Sequence, residues 1–202
     1  KIIFMDINMN KIICGIDEAG RGPLAGPVTA AAVILPDDFE IELLNDSKKL
    51  SEKKRNALEI LIKEKCIAWS VVHIPHNVID EINILNASLL AMKNAYESLV
   101  TPNGNIFSGE VNKIIVDGIY FPKLNVSEKI ECVTKIKADA TEPSVMAASI
   151  LAKTARDKLM IEYSKIYPEY QYEKHKGYPT KLHKEICKKI GPSPIQRRTF
   201  KI

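Results

Sequence analysis

Short apolar runs alternate with longer amphipathic ones along the chain. "KIICGID" (Lys11 to Asp17) predicts a strand that becomes fully buried and ends on an acid. "PVTAAAVIL" (Pro27 to Leu35) predicts a second strand despite its alanines, because the loop before it is too stiff to start a helix. Pro36 to Leu50 reads as a loop. Ser51 then caps a helix, "SEKKRNALEILIKEK", whose Ala57, Leu58, Leu61 and Ile62 recur at helical spacing. Ile67 to Ile74 predicts a third strand, and Ala87 to Leu99 a helix capped by Asn86. "KIIVDG" (Lys113 to Gly118) and, more weakly, "IECVTKIKAD" (Ile130 to Asp139) repeat the first theme of an apolar run ending on an acid. A long helix is expected from Ser144 to Tyr167, stopped by Pro168, and a last one from Lys181 to Ile190 after the basic loop "KHKGYPT". No internal repeat or low-complexity linker interrupts this order. Strands first, then alternating helices and strands, predict an α/β chain with a mixed sheet covered by helices on both faces.

Four acids stand at these strand ends: Asp17, Glu18, Asp117 and Asp139. In open α/β sheets, functional groups gather outside the carboxyl ends of strands. If the strands are neighbours, like charges converge there, and either a cation compensates them or their pKa values rise. An all-oxygen donor set favours Mg²⁺ or Mn²⁺ over zinc. Four acids suit two such ions, about 4 Å apart, clamping a phosphodiester. The plainer alternative is that each Asp is a turn residue or helix cap, a role that suits Asp139 just ahead of Thr141 and Glu142.

Between the first two strands lies "GRGPLAG". It is not a P-loop, since no G-K-[ST] follows, and it does not match G-x-G-x-x-G. Gly20 and Gly22 let backbone amides approach a ligand, while Pro23 and Pro27 keep the loop stiff. Such a backbone suits a ribose 2′-hydroxyl, and Arg21 suits a phosphate. A tight structural turn is the other reading.

The net charge of +4 over 202 residues permits a polyanionic partner without requiring one. The basic groups fall in two clusters. Ser47, Lys48 and Lys49 sit in a loop and suit phosphate contacts, whereas Lys53, Lys54 and Arg55 read as a solvated face. Lys174, His175, Lys176, Lys181, His183 and Lys184 surround Tyr178, a candidate stacking residue. His175 and His183 read as surface or phosphate-facing groups, because no third nitrogen or sulfur ligand has suitable spacing. The four cysteines are scattered with no C-x-x-C pair, so reduced thiols rather than zinc are expected. No signal peptide and no membrane-spanning run is visible, so the expected location is the cytoplasm.

"GIDEAGRGPLAGPV" resembles the signature of ribonuclease HII, the type 2 ribonuclease H family. "NDSKKLS", "VDG", "KADATEPSVMAASILAKTARD", "KHKGY" and "GPSPIQRRTF" resemble further blocks of that family in its order, from about Ile12 to Phe200. The resemblance implies a ribonuclease-H-like fold: a mixed five-stranded sheet flanked by helices, with a small C-terminal helical extension. A catalytic domain would span residues 1–170, with 1–10 an extension, and a basic helical segment, 171–202, would pack beside the active site. The implied activity is metal-dependent cleavage of the RNA strand of RNA–DNA hybrids and of single ribonucleotides in duplex DNA. Two Mn²⁺ or Mg²⁺ ions would sit on Asp17, Glu18, Asp117 and Asp139. Gly20, Arg21 and Gly22 would read the ribose, Tyr178 would stack on the following deoxyribose, and Ser47, Lys48, Lys49, His175 and Lys176 would contact substrate. The partner would be nucleic acid, with no membrane, and the chain a monomer. Two positions depart from the pattern: Ala138 stands where glycine is frequent, and Gln196 where histidine is common.

Overall fold

A computed structural model of the chain describes residues 11–44, 51–100, 107 and 109–201. Five strands form one mixed sheet: β1 (Ile13–Ala19), β2 (Val28–Ile34), β3 (Ala68–Ile74), β4 (Lys113–Asp117) and β5 (Glu131–Lys135). Their order is β3-β2-β1-β4-β5. β1, β2 and β3 run antiparallel in sequence, and β4 and β5 lie parallel to β1. The helices are α1 (Glu52–Lys65), α2 (His76–Val100), α3 (Pro143–Ile166), α4 (Tyr172–His175) and α5 (Lys181–Ile190). The expected mixed five-stranded sheet flanked by helices is what forms.

The pleat of the strands explains the layers. Cys14 and Ile16 of β1, with Val28, Ala30, Ala32 and Ile34 of β2, face one core with Ala87, Ala91 and Ala95 of α2. Ala31 and Val33 face the other, with Met146, Ala147, Ile150 and Leu151 of α3 and Ile62 of α1. β2 is therefore buried along its whole length, which accounts for its alanines: helices close in on both sides. At Gly15 the approach is closer still, since a Cβ there would overlap the backbone of Ser144 and Val145. β1 and α3 are thereby packed backbone to backbone, and the acids that follow Gly15 are brought under α3.

Three expected boundaries differ. β5 ends at Lys135, because Lys137 adopts a left-handed conformation (φ 61°) and Ala138–Ala140 form a 3₁₀ turn. Asp139 thus sits on that turn rather than on a strand end. α2 begins at His76 and kinks at Asn83 (φ 65°), whose Oδ1 accepts the Asn86 N–H at 3.1 Å. The cap of its second part is Asn83, not Asn86. The short helix α4 runs into the start of the basic loop, through Lys174 and His175, and a 3₁₀ turn spans Ile41–Leu44 in the expected loop before α1. Ser51 caps α1 as expected, accepting the Lys54 N–H at 3.4 Å.

After α3 the chain folds back on the glycine loop. Tyr170, Tyr172 and Ile195 pack with Ala25 and Met160. The Leu24 N–H donates to the Gly177 carbonyl at 2.8 Å, and Ala25 bridges to Gln196. Among the described residues no helix is long and apolar enough to cross a membrane. The four cysteines are free; Cys14 and Cys187 are buried, and Cys132 is exposed.

Candidate active site

The parallel pairing of β1 and β4 sets Ile16 beside Val116, so the next residues, Asp17 and Asp117, stand as neighbours where that pairing ends. Glu18 follows on β1, and the 3₁₀ turn before α3 delivers Asp139. All four acids line one cleft of about 370 Å³, together with Ser149 and Lys153 of α3, Arg55 of α1 and Tyr178. Carboxylates from three separate chain segments thus face a common space.

That space is electrostatically costly. Burial pushes the Asp17 carboxyl well above the usual carboxylate range, and the charges of Glu18 and Asp117 add to the rise. Hydrogen bonds from the Ser149 hydroxyl and from the Glu18 N–H (2.7 Å) pull the other way without cancelling it. Glu18 is raised for the same first reason, burial, opposed by Arg21, whose Nη1 donates to its Oε1 at 3.4 Å. A divalent cation relieves both the burial and the repulsion, and the all-oxygen donor set suits a hard ion. Among the described residues no three His, Cys, Asp or Glu side chains are already closed around a metal position. An ion held here would complete its shell with water and substrate oxygens, as Mg²⁺ characteristically does.

The glycine loop borders the cleft through Gly20 (φ 98°), with Arg21 and Gly22 exposed beside it. The Tyr178 ring lies 5.0 Å from Lys153 Nζ and 5.5 Å from Arg156 Cζ. Lys176 turns its ammonium back onto the Glu173 carbonyl, and Glu52 is 4.0 Å away. Ser47, Lys48 and Lys49 lie outside the described residues. Ile119 and Tyr120 are exposed beside Asp117.

The histidines correct their sequence reading. His175 is 5% exposed and His183 fully buried, stacked with ring centroids 4.3 Å apart. His175 holds the Tyr170 carbonyl through Nε2 and accepts the Gly177 N–H at Nδ1, while His183 Nδ1 bonds the Tyr178 carbonyl. They brace the turn that presents Tyr178, and both rings are buried rather than on the surface. Arg55, expected on a solvated face, lines the cleft and pairs with Asp157 at 3.7 Å. Neither Arg156 nor Arg197 is among the site residues expected from sequence, yet both are fully buried around the glycine loop. One signal was present: Ala152, Arg156 and Met160 share one face of α3 at four-residue spacing, so a charge interrupts a buried stripe.

The family model for ribonuclease HII matches residues 14–202. The chain belongs to the ribonuclease HII family. Ribonuclease HII of Treponema denticola is 52% identical over 195 residues, covering 94% of this chain and 98% of that one. The Idiomarina loihiensis enzyme is 48% identical over 190 residues, covering 94% and 95%. Among solved structures, ribonuclease H2 from Pyrococcus horikoshii superposes with a TM-score of 0.74 at 27% identity, covering 94% of this chain and 93% of that one. Bst-RNase HIII in complex with Mn²⁺ shares the fold at a TM-score of 0.70, with 19% identity and coverage of 90% and 63%. As a ribonuclease HII the chain is a type 2 ribonuclease H, an endoribonuclease of RNA–DNA hybrids.

Proposed function

We propose that the enzyme also nicks duplex DNA on the 5′ side of single embedded ribonucleotides, leaving 3′-hydroxyl and 5′-phosphate ends. The observation that carries this reading is the meeting of Asp17, Glu18, Asp117 and Asp139 in a cleft bordered by the glycine loop and Tyr178. When bound, two Mg²⁺ or Mn²⁺ ions supply an activated water and stabilise the departing 3′ oxygen; the fold relative Bst-RNase HIII was solved with Mn²⁺. Asp17, Glu18, Asp117 and Asp139 would hold them. Gly20, Arg21 and Gly22 offer backbone to the ribose 2′-hydroxyl, and Tyr178 offers a ring face to the next sugar. Lys153, positioned over that ring and paired with Asp157 at 2.8 Å, would offer its charge to a substrate phosphate in the cleft. Since one chain carries all of these groups, a monomer suffices.

The test is incubation of duplex DNA carrying one ribonucleotide with Mg²⁺ or Mn²⁺. A nick at the 5′ side of the ribonucleotide is expected, and none above a metal-free control rejects the proposal. An all-DNA duplex of the same sequence separates it from a nuclease that acts on DNA alone.

A further inference from the structure

We infer that Arg197 sets the peptide planes through which the glycine loop reads the ribose, which makes it a positioning residue for substrate discrimination. The inference rests on the proposed reading of that loop. Arg197 comes from the C-terminal tail and is fully buried. Its guanidinium donates to four backbone carbonyls of the loop: Nη2 to Gly20 (2.6 Å) and Pro27 (2.9 Å), Nη1 to Arg21 (2.9 Å), and Nε to Gly26 (2.9 Å). A planar, rigid fork bonded at all three nitrogens has one orientation, so the carbonyls it holds have one orientation as well.

The consequence follows from peptide geometry. In a trans peptide the carbonyl of one residue and the N–H of the next point in opposite directions, and the described backbone has no cis bond. With the Gly20 and Arg21 carbonyls turned in to Arg197, the N–H groups of Arg21 and Gly22 are turned away from it. Both residues are exposed, and the space where a Cβ of Gly22 would stand holds no atom within 4 Å. Two outward donors beside open space are what a ribose hydroxyl needs and what a deoxyribose cannot use. Arg156 does a different job. It packs against Gly20, where a Cβ would meet its Nε and Cδ, but its hydrogen bonds go to the carbonyls of Ala25, Pro27 and Lys176, tying the loop to the Tyr178 turn rather than orienting the Gly20 and Arg21 carbonyls.

Arg197→Lys tests this, because an ammonium keeps the charge but cannot span the same carbonyls. Dissociation constants are measured in Ca²⁺ for a duplex with one ribonucleotide and for its all-DNA counterpart. The wild-type chain is expected to prefer the ribonucleotide. In Arg197→Lys that preference is expected to fall about tenfold, through weaker binding of the ribonucleotide duplex alone. A merely structural role would weaken binding of both duplexes alike and leave the ratio unchanged, and that result overturns the inference. A wild-type ratio near one instead overturns the reading of the loop itself, and the inference with it. Should the lysine variant not fold, ¹⁵N relaxation on the wild-type chain decides. Order parameters for the Arg21 and Gly22 amides near the rigid value of about 0.85 are expected, and values below about 0.6 refute a pinned loop.

Discussion

Two groups of buried charges adjoin the glycine loop, and the fold treats them differently. On one side are the cleft acids, where Asp17 and Glu18 are destabilised as anions by burial and by one another's neighbours. On the other are Arg156 and Arg197, equally buried, whose N–H groups are placed on backbone carbonyls at 2.6–3.1 Å. Burying a charge is expensive unless it is compensated. In the arginine cluster the protein supplies the compensation itself. In the cleft the compensation built in for Asp17 and Glu18 falls short, and the cation proposed to bind there would supply the rest. The first arrangement makes a rigid frame, and the second a site whose occupancy matters.

If this contrast is right, neutralising one charge has opposite effects on the two sides. Asp17→Asn is expected to lower cleavage at least a thousandfold, on the scale of losing a central electrostatic group, while leaving duplex binding largely intact. It should also raise the melting temperature in EDTA by a few degrees, corresponding to about 1 kcal/mol. The sign follows from the raised Asp17 pKa. The folded state holds that proton more tightly than the unfolded chain, so stability falls as pH climbs from the ordinary carboxylate range through the raised value. The advantage of Asn should therefore appear above that window and vanish in acid. A melting temperature lowered by Asp17→Asn at neutral pH would contradict the contrast.

Arg156→Leu should do the reverse. It strands the carbonyls of Ala25, Pro27 and Lys176 and should cost about 3 kcal/mol of unfolding free energy. Urea denaturation in EDTA measures it, and a loss below about 1 kcal/mol would show that these carbonyls find other partners.

The frame was less legible in sequence than the cleft. β1 and β4 are short apolar runs ending on acids, and a continuous run of that length reads directly as a buried strand. The alanines of β2 counted against a strand in the sequence, and only the structure shows them and Gly15 as the places where helices close in. The meeting of Asp17 with Asp117 was not in the spacing, because register between distant strands is set by the whole sheet; the family blocks supplied that step. Asp139 was placed on a strand because "IECVTKIKAD" has no breaker, whereas Lys137 takes a left-handed conformation that lysine does not advertise. The histidines misled for a related reason. "KHKGYPTKLHKE" is polar throughout, and what buries its rings is tertiary: Tyr172 packs edge-on against both, and a backbone carbonyl takes one nitrogen of each, Tyr170 for His175 and Tyr178 for His183. Arg197 lies in a basic segment expected to pack beside the active site, but nothing in its spacing marks it as the residue that enters the loop.

The histidine pair gives the frame a pH limit. Burial, and then the neighbouring His183, hold His175 down at about 4, and burial lowers His183 too. Both rings are neutral when folded but accept protons near pH 6.5 once unfolded. Their contribution is complete above pH 6.5 and is lost as pH falls toward 4, a change on the order of 2 kcal/mol. Urea midpoints between pH 7 and 4.5 should decline more steeply for the wild-type chain than for His175→Asn. Parallel slopes would assign acid sensitivity to carboxylates instead.

The smallest expected effect lies where frame and cleft meet. Tyr178 is carried on the turn that the histidines brace, yet its ring faces the acids' cleft between Lys153 and Arg156. If the ring face is the working part, the hydroxyl is dispensable. Tyr178→Phe should then leave cleavage of a single-ribonucleotide duplex within about twofold, and Tyr178→Ala should weaken substrate binding about fivefold to tenfold, the scale of one stacking contact. Because both cations remain in the alanine variant, its melting temperature should hardly move. A Tyr178→Phe defect as large as that of alanine would shift the role to the phenolic oxygen, and with it the reason for holding this turn so rigidly against the loop.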